Sequence, residues 1–448
     1  MIAATASPPR ASEPAAGAVA APVSIDRWHT ARLAFAVLAM FLATSAFYNF
    51  SFQVRPPKEA GVLGNDESRS DVVNMLGWIL LYGISGVTVL WSLWRQGLEL
   101  RLALLIPFAL YILASATWSY EPAQSLIFCV MLVANIVVAD ALATQVPPAL
   151  LLGALTRVVV PCVAFSLVLL VVQPELVTTE PDRPGLFTSG EFNGVFSHKI
   201  HMGINAASAI LVLLFQPDSF SRSRRLRWIS LLICTAGLVL ANSASAILAL
   251  VVSVALIVAV KAAPRLRGTL FLAIGLITLL FSVLLPHIDL GSVTGLVGRS
   301  STLTGRGDFW ALAPGYIAKH PWIGFGYGGF FQRDAYSQVW DLWSYFEYFF
   351  TPNFHNSALD TLILLGYIGL AGYLIVLATG LWISANRSLG SSADILACIL
   401  ILFTASSATD FQFMRHNCLA TILLFYTFLV GGRVYGARRA DRSARAGA

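Results

Sequence analysis

The sequence predicts an all-α integral membrane protein, a polytopic bundle of about 12 transmembrane helices. Hydrophobic residues make up 57% of the chain and charged residues only 12%, whereas charged residues form about a quarter of a typical soluble protein. The apolar segments are continuous and do not alternate with polar residues, which excludes a transmembrane β-barrel. Only helices and closed barrels satisfy their backbone hydrogen bonds in lipid, so these segments are predicted to be spanning helices.

The predicted spans are runs of apolar residues bounded by polar or basic segments. They cover residues 33–50, 72–91, 102–118, 123–142, 149–172, 200–215, 228–241, 244–260, 270–285, 357–382, 395–409 and 418–434. The first run lacks a small-residue cleavage site, so we interpret it as an uncleaved start helix.

The stretch 228–260 is interpreted as two helices because of the charges that flank it. As one helix its 33 residues would be about 50 Å long, well beyond the thickness of the bilayer core. Basic clusters precede and follow it, and the positive-inside rule places both clusters in the cytoplasm. The chain is therefore predicted to turn back near Asn242 and Ser243. The basic residues are Arg222, Arg224, Arg225, Arg227, Lys261, Arg265 and Arg267.

The same charge rule gives the domain organisation and the orientation in the membrane. Residues 1–26 are predicted to be a disordered cytoplasmic tail, 27–434 the membrane domain, and 435–448 a basic cytoplasmic tail. The long loop 286–354 is then periplasmic. Between residues 309 and 350, 16 of 42 residues are aromatic, a density that favours the lipid–water interface. Short interfacial helices are expected in this loop, one of them over residues 308–319.

The first candidate site is a basic pattern at the start of the sixth span, formed by His198, Lys199 and His201. These side chains could bind an anion, although Lys199 could equally be an interfacial anchor whose ammonium reaches toward lipid headgroups. The two histidines could share a metal ion, but a third ligand is not evident nearby. No bound metal is therefore expected.

A second and a third pattern lie in the long loop. Arg299 and Arg306 flank hydroxyl residues and a glycine, and a guanidinium presents a fork of donors suited to phosphate oxygens. A solvated arginine is the alternative at both positions. The glycine-rich run 324–329 lacks the strand, helix and Gly-Lys-Ser/Thr of a phosphate loop, so it is interpreted as a flexible aromatic loop.

A fourth pattern follows at the entrance to the next span, where His355 and Asn356 precede Asp360. Histidine is the side chain best suited to accept a proton near neutral pH. A lone interfacial histidine is usually structural, but here it shares the outer face with several cations. Other polar residues inside apolar runs indicate function or packing: Asn135, Asp140, Arg157, Asn205, Asn242, Asp394 and Asp410.

Three of these stretches, 194–203, 302–327 and 355–369, resemble in order and content the O-antigen ligase and Wzy-type polymerase superfamily of bacterial envelope proteins. The Thr304-Gly305-Arg306 and His355-Asn356 elements carry the match most specifically. The resemblance is strongest with the exopolysaccharide polymerase (ExoQ-like) branch.

This resemblance implies a metal-independent, cofactor-free glycosyltransferase of the bacterial inner membrane with a periplasmic active face. Its donor would be a glycan on undecaprenyl diphosphate, and its acceptor a polysaccharide hydroxyl. Arg306 would hold the diphosphate with Lys199 as a second phosphate ligand, and His355 would be the catalytic base. Besides these residues, we predict substrate contacts for His198, Arg299, Asp308 and Asn356. Membrane lipid and other polysaccharide assembly proteins are expected partners, and nucleic acid is not.

Two alternatives stay open from the sequence. A ligase that joins finished glycan to lipid A-core would use the same chemistry. A polytopic transporter is the alternative from another class, although such proteins favour internal repeats and paired charges near the midplane. If His355 is only an anchor, the base would be His198 or a water-mediated Asp360.

Overall fold

The computed structural model describes residues 27–47, 50, 72–179, 191–285, 306–332, 334–345, 352–385 and 392–431. Within these ranges apolar helices dominate, so the predicted class of an all-α membrane protein is confirmed. The predicted tails 1–26 and 435–448 lie outside the described residues, as does Arg299.

The described helices follow the predicted spans closely, and every predicted span overlaps one of them. In chain order they are α1 (Arg27–Ala43), α2 (Val72–Gln96), α3 (Leu100–Ala114), α4 (Pro122–Gln145), α5 (Pro148–Val172), α6 (Lys199–Phe215), α7 (Arg224–Leu240), α8 (Ala244–Ala262), α9 (Arg267–Leu284), α10 (Arg306–Ile317), α11 (Val339–Tyr345), α12 (Ser357–Ala385), α13 (Ser392–Ser406) and α14 (Leu419–Gly431). An antiparallel ribbon of β1 (Thr178–Thr179) and β2 (Glu191–Phe192) lies between α5 and α6. The predicted break at Asn242 is present between α7 and α8.

Seven of the described helices are long and apolar enough to cross a membrane. These are α2, α4, α5, α8 and α12, with α3 and α9 each extended by a neighbouring 3-10 turn. Four shorter apolar helices are α1, α6, α13 and α14. The total of twelve spans therefore stays a prediction. In the long loop, α10 covers most of the segment predicted to be a short helix.

The centre of the bundle is formed by α13 and α14. Every residue of α14 is buried, and in α13 only Asp394 and Ala405 are partly exposed. In contrast, α2 exposes large apolar side chains such as Val73 and Leu90 along its outer face. Exposed apolar rows of this size are typical of a surface that contacts lipid.

The segment that follows α10 packs against a kink in α12. Gly366 has a φ of +62° and interrupts the helix, and Tyr367 N donates to the carbonyl oxygen of Pro321 at 2.8 Å. A Cβ at Gly366 would lie 2.3 Å from the carbonyl carbon of Trp322, so no larger residue fits. The backbones of the two segments therefore touch directly.

The glycine-rich run 324–329 lies against this kink and is part of the core. Phe325 and Tyr327 are 4% and 2% exposed, and Phe325 N donates to the Ile363 carbonyl oxygen at 2.8 Å. The interpretation of this run as a flexible aromatic loop is therefore wrong. Its glycines at positive φ allow close approach: a Cβ at Gly324 would lie 2.6 Å from the backbone of Leu364.

Candidate functional site

The segment 407–418, which links α13 to α14, forms one wall of a polar site at the end of α12. Ser357, the first residue of α12, anchors it: its hydroxyl donates to the Asp410 carbonyl oxygen at 3.2 Å and accepts from Gln412 N at 2.9 Å. Ser357 N also donates to the Ser407 carbonyl oxygen at 3.0 Å. These bonds fix Asp410 beside the residues that precede α12.

Asn356 caps α12 and joins three parts of the bundle. Its Oδ1 accepts from the backbone N–H groups of Ala358 and Leu359 at 3.0 and 3.1 Å, as an N-cap residue does. Its Nδ2 donates to the carbonyl oxygens of Ser282 and Ala408 at 2.8 and 3.1 Å. The side chain is fully buried and its hydrogen-bonding atoms are occupied. Asn356 therefore positions the start of α12, and its predicted substrate contact stays a prediction.

The backbone turn at His355 is held by a carboxylate from inside α12. Asp360 Oδ1 accepts from Phe354 N at 2.7 Å and its Oδ2 from Asn356 N at 3.2 Å, one on each side of His355. His355 itself has a φ of +54°, an uncommon conformation for a residue with a side chain. The local geometry thus fixes the direction of the imidazole.

Two imidazoles meet at the carboxylate of Asp410. His355 Nδ1 lies 3.8 Å from Asp410 Oδ1, and His201 Nε2 lies 3.6 Å from Asp410 Oδ2. The His355 side chain is 29% exposed, against 13% for His201 and 10% for Asp410. His355 is therefore the imidazole of this pair more accessible to a ligand.

The surroundings of Asp410 favour the ionised form of its carboxyl group. Burial by itself would raise the pKa of its carboxyl, but the contact with His355 and the nearby imidazoles of His201 and His198 lower the pKa below its ordinary value. Gln412 Nε2 donates to Oδ2 at 2.6 Å and Phe411 N to Oδ1 at 2.9 Å, which also favours the charged form. A stable carboxylate of this kind can orient a neighbouring imidazole.

The first sequence pattern reaches the same site through α6. His201 Nδ1 lies 2.7 Å from Ser197 Oγ, which leaves its Nε2 toward Asp410. His198 caps α6, its Nδ1 accepting from Ile200 N at 3.2 Å, and its ring centre lies 6.4 Å from that of His201. The basic pattern at the start of α6 and the pattern that begins with His355 are far apart in the chain, and the fold brings them together.

The turn before α6 is held in place by neighbouring helices. Val195 N donates to Ser166 Oγ in α5 at 3.0 Å, and Phe47 N, just after α1, donates to the Val195 carbonyl oxygen at 2.7 Å. Gly194 has a φ of +60°, and a Cβ there would lie 2.4 Å from Ser166 Oγ. Only glycine allows this approach to α5.

Lys199 forms an ion pair with Glu191 of β2. Both side chains are about a quarter exposed, at 22% and 24%. A phosphate that approaches Lys199 would therefore compete with this carboxylate, so its role as a phosphate ligand stays a prediction.

The helix that begins with Arg306 is attached to the His355 segment. Trp310 lies one turn into α10, and its Nε1 donates to the carbonyl oxygen of Phe354 at 2.8 Å. Trp310 is 2% exposed. The backbone at Arg306 and Asp308 is thereby held near the turn that carries His355, while their predicted substrate contacts stay predictions.

Arg415 and His416 also belong to the site and were missed in the sequence patterns. Arg415 lines a small cavity together with His201, Gln412 and Asn205. His416 stacks on Phe128 with ring centres 5.0 Å apart. Burial, together with the charge of Arg415, lowers the pKa of His416 to about 4. The sequence signal for them is a cluster of charged and titratable residues, Asp410, Arg415 and His416, inside a largely apolar region. The sequence patterns include only Asp410 of this cluster.

Among the described residues, no group of three or more His, Cys, Asp or Glu side chains has an arrangement that could hold a metal ion. Metal independence therefore stays a prediction.

The fold and the site together define a polytopic helical membrane protein with two imidazoles and a carboxylate clustered at its helix ends. Residues 229–374 match the family model of the O-antigen ligase, Wzy_C. This match confirms, over that segment, the resemblance to the O-antigen ligase and Wzy-type superfamily that the sequence motifs predicted, and it supports an enzyme of the ligase or polymerase type. The matched segment contains Arg299, Arg306 and His355, whereas Asp410 and the α6 histidines lie outside it. A search of curated proteins gave no match.

Proposed function

We propose that this protein is a bacterial inner-membrane polysaccharide polymerase of the exopolysaccharide branch. It would transfer a glycan from undecaprenyl diphosphate to a sugar hydroxyl of the acceptor, at the periplasmic face. The observation that carries the proposal is the contact between His355 and Asp410, since it supplies an oriented base inside the segment that matches the ligase family. Membrane lipid and other polysaccharide assembly proteins would be its partners.

In the proposed reaction His355 acts as general base. Its Nδ1 faces the Asp410 carboxylate, so its Nε2 accepts the proton of the acceptor hydroxyl. The acceptor oxygen then bonds to the anomeric carbon of the donor, and the bond from that carbon to the diphosphate oxygen breaks. The electron pair leaves with undecaprenyl diphosphate, and the proton stays on His355 until solvent removes it.

The leaving diphosphate requires fixed positive charge and no redox or group-carrying cofactor. Arg306 is the proposed main phosphate ligand, with Lys199, His198 and Arg299 around it, and Asp308 is a proposed contact to the rest of the substrate. Oriented cations stabilise charge as it develops on a leaving group. On this account catalysis does not require a metal ion, and activity should survive treatment with EDTA. Restoration of a lost activity by Mg²⁺ or Mn²⁺ would contradict this part of the mechanism.

A ligase that transfers finished glycan to lipid A-core is the second candidate, because the matched family model is that of the O-antigen ligase. The two reactions share donor and base and differ in the acceptor. A polymerase extends a lipid-linked glycan into a ladder of products. A ligase transfers one glycan to a different lipid and makes no ladder.

The test uses the purified protein in nanodiscs with an undecaprenyl-diphosphate-linked oligosaccharide. Products are separated by gel electrophoresis with and without added lipid A-core. A ladder that forms without lipid A-core supports the polymerase, and products only with lipid A-core support the ligase. His29→Ala, at an exposed position of α1, serves as the control for His355→Ala. Equal activity of His355→Ala and His29→Ala would contradict the proposed mechanism.

A further inference from the structure

Arg415 differs from the other inward-facing arginines in its surroundings. Arg101 and Arg157 donate to the carbonyl oxygens of Phe428 and Phe220 at 2.9 and 2.8 Å. Arg267 forms an ion pair with Asp394 at 2.6 Å. Within the part of the chain that the structure describes, the guanidinium of Arg415 has neither an ion pair nor a hydrogen bond, although the residue is partly buried. A cation in such a place is suited to a ligand of opposite charge.

A second unsatisfied group lies on the wall of the same cavity. Asn205 of α6 is 3% exposed, and its Nδ2 donates to the Thr44 carbonyl oxygen at 3.2 Å. This bond fixes the amide, and its Oδ1 has no hydrogen-bond partner among the described residues. Buried polar atoms are normally paired with protein or with an ordered guest. The cavity is therefore built for a polar group that both receives and donates hydrogen bonds.

The rest of the cavity lining combines polar and apolar side chains. Ser45 and Gln412 add polar groups, whereas Phe403, Ile204 and Leu419 form an apolar wall. His201 lines the cavity and also contacts Asp410. Asp410 in turn contacts His355, the proposed base, so His201 and Asp410 connect the cavity to the base. The enclosed space is about 20 Å³, enough for one water molecule, so a phosphate would contact the partly exposed Arg415 at the mouth of the cavity, beside His201.

We propose that Arg415 binds a phosphate oxyanion of the lipid-linked donor, with Asn205 accepting from a hydroxyl or water that accompanies it. The inference rests on the proposed function for the identity of the donor and adds a phosphate ligand outside the segment that matches the family. The planar guanidinium can contact two phosphate oxygens at once. Since Lys199 is paired with Glu191, Arg415 is the better placed cation beside His201.

The experiment measures binding of undecaprenyl diphosphate without a sugar to the full-length protein in phosphatidylcholine nanodiscs. Undecaprenol is the uncharged probe of the same lipid length. Arg415→Gln and Arg415→Met should weaken binding of undecaprenyl diphosphate roughly tenfold or more, because a charge-assisted contact is lost. Arg415→Lys should recover part of the affinity. Arg225→Gln, at an exposed position on α7, is the matched control and should bind as the wild type does.

Three outcomes would overturn the inference. One is unchanged diphosphate affinity in both neutral variants, and another is an equal loss of undecaprenol affinity, which would show that Arg415 does not act on the phosphate. The third is equal competition at Arg415 by phosphatidylglycerol, which would indicate a general lipid-phosphate site. Binding and turnover separate the two proposals. Wild-type protein that binds undecaprenyl diphosphate through Arg415 but transfers no glycan would contradict only the proposed function.

Discussion

His355 Nδ1 lies 3.8 Å from Asp410 Oδ1, across the space between the start of α12 and the end of α13. The contact joins a residue inside the family-matched segment to one outside it. A carboxylate beside an imidazole fixes the tautomer that can accept a proton at the opposite nitrogen. The position of this pair at the helix ends is the basis of the first two predictions.

His355→Ala should abolish most glycan transfer while donor binding persists. Loss of a general base typically costs about 10²–10⁴-fold in rate. Arg306→Lys should show the opposite pattern, because lysine keeps the charge but lacks the planar fork, so donor affinity falls and some turnover remains. Donor binding and chain growth are measured separately on purified protein. If His355→Ala keeps near-normal chain growth, the base has to be sought at His198 or Asp360.

Asp410→Asn should lower the turnover number with little change in donor affinity. The amide keeps the shape of the side chain but removes the charge that orients and supports His355, and an analogous change in a catalytic triad lowers the rate on the order of 10⁴-fold. Asp218→Asn is the control, since Asp218 forms only an exposed ion pair with Arg227. An Asp410→Asn enzyme as active as Asp218→Asn would mean that Asp410 has no role in proton transfer.

Asn356→Ala should destabilise the fold rather than weaken substrate contacts. It removes the cap of α12 and leaves the carbonyl oxygens of Ser282 and Ala408 without this donor, for a loss on the order of 2–4 kcal/mol. Asn356→Asp keeps the capping oxygen and loses only the donors, so its Tm should fall less. Thermal unfolding in detergent measures both. A variant with wild-type Tm and reduced donor affinity would support the role in substrate binding.

His416 should make the protein less stable in mild acid. Its pKa is about 4 in the folded state against an ordinary 6.5, so folding favours the neutral imidazole. Its stabilising contribution is complete above pH 6.5 and is lost as the pH falls toward 4. Tyr327 OH lies 3.1 Å from His416 Nδ1, which fits a neutral ring that accepts this hydrogen. His416→Gln keeps an acceptor without titrating, so its Tm should decline less between pH 6.5 and 4. Equal declines would contradict this role.

The predicted orientation places the loop 286–354 in the periplasm. Ser292→Cys, at a position outside the described residues, should be labelled by an impermeant thiol reagent in cells whose outer membrane alone is permeabilised. Ser223→Cys, beside the basic cluster before α7, should not be labelled under these conditions. The described native cysteines are buried, or partly buried for Cys418, so background should be low. Labelling of Ser292→Cys only after the inner membrane is broken would reverse the orientation.

The helices could be predicted because hydrophobicity is a property of each local segment. The break at Asn242 followed from the length of the apolar stretch and the charges that flank it, and α10 followed from the aromatic density of the long loop. The same local reasoning failed at the run 324–329. Its glycines indicated flexibility, whereas in the structure they allow the backbone to pack closely against the kink at Gly366.

The sequence by itself determined the class of the protein, the course of its helices and the identity of His355 as the candidate base. Only the tertiary structure decided which groups surround that base, because the contacts of Asp410 with His355 and His201 depend on how α6, α12 and α13 pack. The same holds for Lys199, which packing pairs with Glu191, and for Arg415, which packing leaves beside a cavity. The residue type limits the chemistry of a side chain. Its partners depend on how distant segments of the chain pack together, and local sequence patterns carry no information on that packing.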